Sequence, residues 1–313
     1  MKTILNPSAF KGNLNKKRYF EGWYLKHVSA DNSSIYSFIP GISLSPGDRH
    51  CFIQVINGIT GQTWYISYPL ELFKADKKTF NVQVGDSFFS ADSSTVNIDS
   101  PQLKISGTIH YKDASLYPRS LTHPGIMGWF SFIPGMECRH DVLSMSHYMS
   151  GDLEVNGGKI SFDGGKGYIE KDWGWNFPRQ YSWIHCNHFD DGDTSFLVAI
   201  ATIPLGPFKF TGFLGFFSWN GVHRVFGTWN RWKVKDISFG DTLNGRIELK
   251  GGDESIVCRV EGKPGGALKA PEHGAMSKVI KESINSVIYL EYHDASGGIH
   301  EFRGTPAAFE RRD

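Results

Sequence analysis

Residues 191–229 read DGDTSFLVAIATIPLGPFKFTGFLGFFSWNGVHRVFGTW. Three runs rich in Val, Ile, Phe and Trp stand out, Ser195–Ile203, Lys209–Ser218 and Val222–Trp229, punctuated by Pro, Gly and the dipeptides Asp191-Gly192 and Asn220-Gly221. The spacing leaves little room for amphipathic helices of about 10–12 residues, and Asn-Gly between apolar runs is the strongest short hairpin signal. The same grammar extends outward in both directions. Ile35–Ile39, Cys51–Ile56, Thr63–Pro69, Leu103–Tyr111, Ser182–Phe189, Ile256–Glu261, Val287–His293 and Ile299–Gly304 read as further strands. Asn57-Gly58, Asn156-Gly157, Asp163-Gly164 and Asn244-Gly245 add further turns. Helical periodicity is weak; Pro271–Ser286 and Pro306–Arg311 are the best candidates for helix, and the Gly- and Pro-containing stretch Gly262–Ala275 reads as an exposed loop or lid.

The reading is therefore all-β and antiparallel. Of 313 residues 35 are Gly, well above the usual roughly 7 %, and 14 % are aromatic, a composition that supplies turns and strand-forming side chains together. A polar, Gly-rich stretch at Gly151–Gly158 follows a long apolar segment, which divides the chain into domains 1–150 and 151–313. Lys and Arg number 33 and Asp and Glu 32. So balanced a charge provides no polyanion-binding surface, and nucleic acid is not an expected partner. Cys51, Cys138, Cys186 and Cys258 form no CxxC pair and read as free, mostly buried thiols. No stretch has the length of a membrane-spanning helix and the N-terminus lacks a signal-peptide core, so the expected location is cytoplasmic. A peripheral membrane contact for substrate access is compatible with this, and oligomeric state is not encoded in any legible pattern.

Two charged, aromatic segments carry the candidate chemistry. In an extended Glu170-Lys171-Asp172-Trp173, Glu170 and Asp172 share one face and Lys171 and Trp173 the other. Two carboxylates about 7 Å apart on one face suit acid–base work; the alternative is an ion-pair network with Lys171 or an Arg at a barrel mouth. In Tyr19–Lys26, Tyr19, Glu21, Trp23 and Leu25 share a face, and Phe20, Gly22, Tyr24 and Lys26 take the other. Glu21 beside Trp23 reads as a proton donor under an aromatic roof, or as one half of a barrel-closing salt bridge. His140, on a face with Cys138 and Val142, is a satisfied core histidine or a proton acceptor. His185 shares a face with Trp183, Asn187 and Phe189, a mixture found in ligand pockets and in cores alike. His185 and His188 point to opposite faces of a strand. No HxH or HExxH spacing is present, so no metal is expected, and no GxSxG elbow is present either.

Three ordered segments, Tyr19-Phe20-Glu21-Gly22-Trp23-Tyr24-Leu25-Lys26, Gly128-Trp129 with Glu137-Cys138, and Glu170-Lys171-Asp172-Trp173-Gly174 with Phe177-Pro178, resemble the motifs of the tocopherol cyclase family over residues from about 17 to 190. The resemblance implies two consecutive lipocalin-like β-barrels or sandwiches with a hydrophobic ligand cavity, related to carotenoid hydratases and lipocalin-like pericyclases. It also implies an isomerase (an intramolecular lyase): cofactor-free, acid-promoted closure of a prenylated phenol or hydroquinone (a prenylquinol) to a chromanol-type ring. That chemistry needs a strong general acid in a dry cavity and aromatic faces that tolerate positive charge. Glu170, Asp172, His140 and Glu21 are the candidate catalytic groups. Trp23, Tyr24, Trp129, Trp173, Trp175, Trp183, His185 and Asn187 are the candidate contacts to a hydrophobic small-molecule ligand. His185 stands where the plant pattern has Gln, and Trp175 and Asn176 stand where small residues are common. A related hydratase or pericyclase, or a non-catalytic carrier, therefore stays open beside the cyclase.

Overall fold

A computed structural model describes residues 6–205, 208–240 and 243–313. The chain forms two units: Met1–Phe177 with Ala267–Val279, and Pro178–Gly266 with Ile280–Asp313. The expected division at 150/151 falls elsewhere in the structure. Gly151 lies inside a long strand, with φ +117°, where the Thr108 carbonyl would stand 2.2 Å from any Cβ. Glycine there marks a close approach of backbones within one sheet, not a linker.

In the first unit the strands are β1 Phe20–Val28, β2 Ile35–Ser45, β3 Asp48–Asn57, β4 Thr63–Pro69, β5 Phe73–Ala75, β6 Asn81–Val84, β7 Ser87–Ser90, β8 Ser93–Asp99, β9 Lys104–Ser115, β10 Cys138–Val155, β11 Gly158–Ser161 and β12 Lys166–Gly174. They run antiparallel in the order β4-β3-β2-β1-β12-β10-β9-β8-β7-β6-β5, with β11 paired to β10. The sheet wraps one apolar core that includes Trp23, Phe38, Phe73, Phe89 and Ile169. Each such side chain contributes roughly 1.5–3 kcal/mol by leaving water. Among the described residues no pairing joins β4 to β5, so the sheet is a bent sandwich and not a closed barrel.

The second unit holds β13 Tyr181–Cys186, β14 Ser195–Leu205, β15 Phe208–Trp219, β16 Val222–Gly227, β17 Trp232–Phe239, β18 Asn244–Gly251 and β19 Glu254–Glu261. After β20 (Gly266–Glu272), the long β21 (Ala275–His293) and β22 (Ile299–Arg312) complete the order β16-β15-β14-β13-β22-β21-β19-β18-β17. Ile184, Phe196, Phe217, Phe226 and Trp232 belong to its core.

The hairpin signals behave as the turn chemistry requires. Asn156-Gly157 and Asn220-Gly221 both take positive φ, +50° and +85° and +50° and +70°, as a two-residue primed turn demands. Asn244-Gly245 instead opens β18, paired with Glu261 and Val260. The two helix candidates are strands, β21 and β22: in β21 the Val, Ile and Ser content and alternating burial suit a pleated surface, and β22 is held by pairing with β13 and β21 on its two sides. The expected loop at Gly262–Ala275 contains β20. The four cysteines are free, three of them buried and Cys138 half-buried.

Candidate acid–base site

β1, β12 and β10 lie side by side, and their registers decide which residues meet. Asp172 is the Cα partner of Gly22 on one side and of His140 on the other; Glu170 is the partner of Tyr24 and Val142. Lys171 lies between Trp23 and Asp141, and Trp173 between Glu21 and Arg139. Period-two alternation therefore sorts these strands into two chemically different faces.

One face carries Tyr168, Glu170, Asp172, Cys138, His140 and Tyr24. His140 Nδ1 lies 3.0 Å from Asp172 Oδ1 and its Nε2 lies 3.6 Å from Glu170 Oε2. The first is a hydrogen bond; the second is an ion-pair contact too long to be one. His140 Nε2 is buried and has no hydrogen-bond partner among the described residues. Tyr168 donates its hydroxyl hydrogen to Glu170 Oε2 at 2.6 Å. Tyr24 packs edge-on to Tyr168, and its hydroxyl accepts from Ser37 at 3.0 Å. Met127 Sδ accepts the backbone N–H of His140 at 3.4 Å.

Electrostatics follow from this placement. Burial works against the imidazolium, but the Glu170 and Asp172 carboxylates and the hydrogen bond to Asp172 outweigh it, and the His140 pKa is pushed up to about 9. His140 is thus a cation at neutral pH, held between two carboxylates. Burial, then the neighbouring Glu170 charge, raises the Tyr168 hydroxyl well above its ordinary value and keeps it a donor. Burial and Asp172 do the same to the Cys138 thiol. One ligand atom each from His140, Glu170 and Asp172 lies within 4.8 Å of the others, close enough to gather a cation.

The opposite face is the core side, and there the sequence reading and the structure part. Glu21 forms an ion pair of 2.6 Å with Lys171, both side chains fully buried. It also accepts the backbone N–H groups of Lys11 and Gly12 and the Tyr19 hydroxyl. Every lone-pair direction is used, so the salt-bridge alternative describes it, with Lys171 as the partner. Trp23 is fully buried, stacked on Phe80 at 5.8 Å, with Nε1 donating to the Ser8 carbonyl at 3.2 Å. Trp173 faces the Lys171 ammonium. None of these three reaches the His140 cluster, because one residue of offset on a strand moves a side chain to the other face. Trp129 is exposed in the short 3-10 turn Gly128–Phe132, stacked on Phe130, and Trp175 is bound through its backbone, its N–H donating to the Glu137 carbonyl. Trp183, His185 and Asn187 lie buried in the second unit, with the Trp183 and His185 rings stacked 6.1 Å apart.

Of the predicted residues, the first unit thus brings together His140, Glu170, Asp172 and Tyr24. Tyr168 and Cys138 were not predicted as site residues, although period two alone places Tyr168 with Glu170. A groove of about 410 Å³ on the β5–β8 hairpins is lined by residues such as Lys74, Asp76, Gln83 and Phe88, and by none of the predicted site residues.

The tocopherol cyclase-like family model matches residues 114–301, which include β10, β12 and the whole His140 cluster. The chain belongs to this family. It is 27 % identical over 164 residues to the chloroplastic tocopherol cyclase of Zea mays, and 27 % over 159 residues to a protein described as a probable chloroplastic tocopherol cyclase in Oryza sativa subsp. japonica. Each alignment takes 46 % of this chain and 31 % of the relative, so the match spans about a third of the curated proteins' length. Among solved structures, CghA superimposes with a TM-score of 0.60 at 12 % identity, over 94 % of this chain and 88 % of that one. CghA with Sch210972 gives 0.59 at 11 %, with the same coverage. These likenesses establish the lipocalin-like fold of the family member. Among the described residues no helix is long and apolar enough to cross a membrane.

Proposed function

We propose that this protein is an isomerase that closes a chromanol-type ring on a prenylated phenol or hydroquinone, with His140 as general acid, Asp172 as the group that orients it and Glu170 as the proton acceptor. One observation carries the reading. A buried imidazolium is anchored at Nδ1 by a carboxylate, while its Nε2–H has no hydrogen-bond partner. An unused, buried N–H is costly, and a proton donor awaiting an acceptor atom accounts for it.

The proton balance closes. The Nε2–H proton of His140 goes to the less substituted alkene carbon as the phenol oxygen bonds to the other carbon. The phenol proton passes to Glu170, and from Glu170 back to His140 across the 3.6 Å that separates them. No atom is gained or lost. Bond formation concerted with protonation spares a weak acid the cost of making a free carbocation. The Glu170 carboxylate and the rings of Tyr24 and Tyr168, on the same face, stabilise the positive charge that develops. Family membership supports an enzyme of this type. The hydrophobic ligand is the partner, reached by a peripheral membrane contact where the substrate resides in lipid.

The test is incubation with a prenylated hydroquinone and product analysis by mass spectrometry. An isomer of unchanged mass is expected, whereas a gain of one water would identify a hydratase and no product a carrier. His140→Gln and Glu170→Gln are expected to lower turnover by about 10²–10⁴-fold, the usual worth of general acid–base groups. Full turnover in both variants would remove these residues from the mechanism.

A further inference from the structure

Lys171 sits between Glu170 and Asp172 in sequence but points to the opposite face, and the chemistry above does not use it. Its surroundings are complete. Its ammonium donates to Glu21 Oε1 at 2.6 Å and to the Pro7 and Ala9 carbonyls at 2.9 and 2.6 Å, three donors with three acceptors. The Trp23 and Trp173 rings lie 4.8 and 4.9 Å from the same nitrogen. Glu21 in turn accepts the Lys11 and Gly12 N–H groups at 2.8 and 2.7 Å. One ion pair therefore cinches the N-terminal segment at four backbone points: two carbonyls to the lysine and two amides to the glutamate.

The neighbouring strand repeats the pattern. Asp141, adjacent to His140, accepts Arg119 Nη1 at 2.8 Å and the backbone N–H of Ile126 at 3.3 Å, also on the core side. Asp141 and Lys171 are direct Cα partners, as His140 and Asp172 are on the other face. A well-packed apolar pair would stabilise such a position at least as well as a buried ion pair. What charge adds is a single permitted register, because a slip of one residue would put Lys171 outside and Asp172 in the core.

We infer that Lys171, through Glu21 and the N-terminal segment it clasps, is a positioning residue that fixes the register of β12 and so the placement of Asp172 and Glu170 against His140. The inference rests on the acid–base reading only for its consequence in turnover. The geometry it explains exists without substrate, so it is tested without substrate.

The experiment is a ¹⁵N-imidazole NMR titration of His140 in the substrate-free protein, in Lys171→Met and in the Glu21→Gln/Lys171→Met double variant. The double variant leaves no charge stranded and is read where the single variant fails to fold. The expected result is a fall of about one pH unit or more in the His140 midpoint, a tenfold or greater loss of proton affinity. The His27 and His147 signals, which report the core, should keep their neutral shifts. Tyr19→Phe, which removes one donor from Glu21, should give a smaller shift in the same direction and is decisive where neither lysine variant folds. An unchanged His140 midpoint with the Lys11 and Gly12 amides exchanging freely would overturn the inference. It would do so whether or not the ring-closing activity is confirmed.

Discussion

Compare His140 with His27 and His147. All three lie in the same sheet of the first unit, and their environments drive them in opposite directions. His140 faces two carboxylates and is pushed up to about 9. His27 and His147 face the core, where burial without any countercharge pushes each down to about 3. His27 Nε2 bonds the Tyr111 hydroxyl at 2.6 Å, Tyr111 bonds Ser94, and His147 Nδ1 bonds Ser144 at 2.9 Å. These partners are neutral, and each engages one nitrogen of a neutral ring. The difference teaches that burial alone does not specify a histidine's charge; the sign of what faces it does.

The largest effect that separates the two kinds of histidine is expected in acid. The ordinary value of 6.5 for His27 and His147 falls to about 3 on folding, so the unfolded chain takes up protons first as pH drops. Their contribution is whole above pH 6.5 and is lost between about 6.5 and 3. At pH 4 the loss is about 3 kcal/mol for each. Urea unfolding at pH 7 and pH 4 should show a much shallower pH dependence in His27→Gln/His147→Gln than in the parent, and parallel slopes would break the comparison.

His140 is expected to behave in the opposite sense. Its folded value is raised, so its stabilisation is complete below about pH 6.5 and is lost as pH rises through about 9. The loss amounts to about 3 kcal/mol. It should vanish in His140→Gln when unfolding midpoints at pH 7 and pH 10 are compared. A smaller effect sharpens the packing side. A Cβ on Gly167 would lie 2.2 Å from His147 Nε2, so Gly167→Ala should cost about 2 kcal/mol by overpacking. The cost should shrink in a His147→Ala background, and equal losses in both backgrounds would show that the ring is not what the glycine accommodates.

Strand periodicity made the pairing of Glu170 with Asp172, and the separation of both from Lys171, legible in sequence. The partnership with His140 was not legible, because it depends on the β10–β12 register, which two bulges between Val142 and His147 shift. Glu21 and Trp23 misled for a related reason. Both faces of β1 are buried, so apolar content did not reveal which was the core. The strand at Gly266–Glu272 was hidden by Pro264 before it, Pro271 within it and the glycines around it, and only tertiary pairing overrides that local signal. The hairpin-rich all-β class was carried by Asn-Gly and Asp-Gly turns, whose positive φ values are local and independent of register.

The first unit is also discontinuous along the chain. Gln54 exchanges two hydrogen bonds with the backbone of Lys269, at 3.0 and 2.8 Å, and Thr63 and Ser43 donate to the Ala267 and Gly274 carbonyls. His273 donates its N–H to Asn176 at 2.6 Å. A segment synthesised after residue 266 therefore finishes a structure begun at residue 6. On the ribosome, the polar groups of Ser43, Gln54 and Thr63 must wait for the intervening residues 178–266, which belong to a unit completed only by residues 280–313. Long-range closure of this kind slows folding and extends the exposure of unfinished surface. The first unit is thus expected to stay open until residues 267–279 emerge, and the second until β21 and β22 follow them.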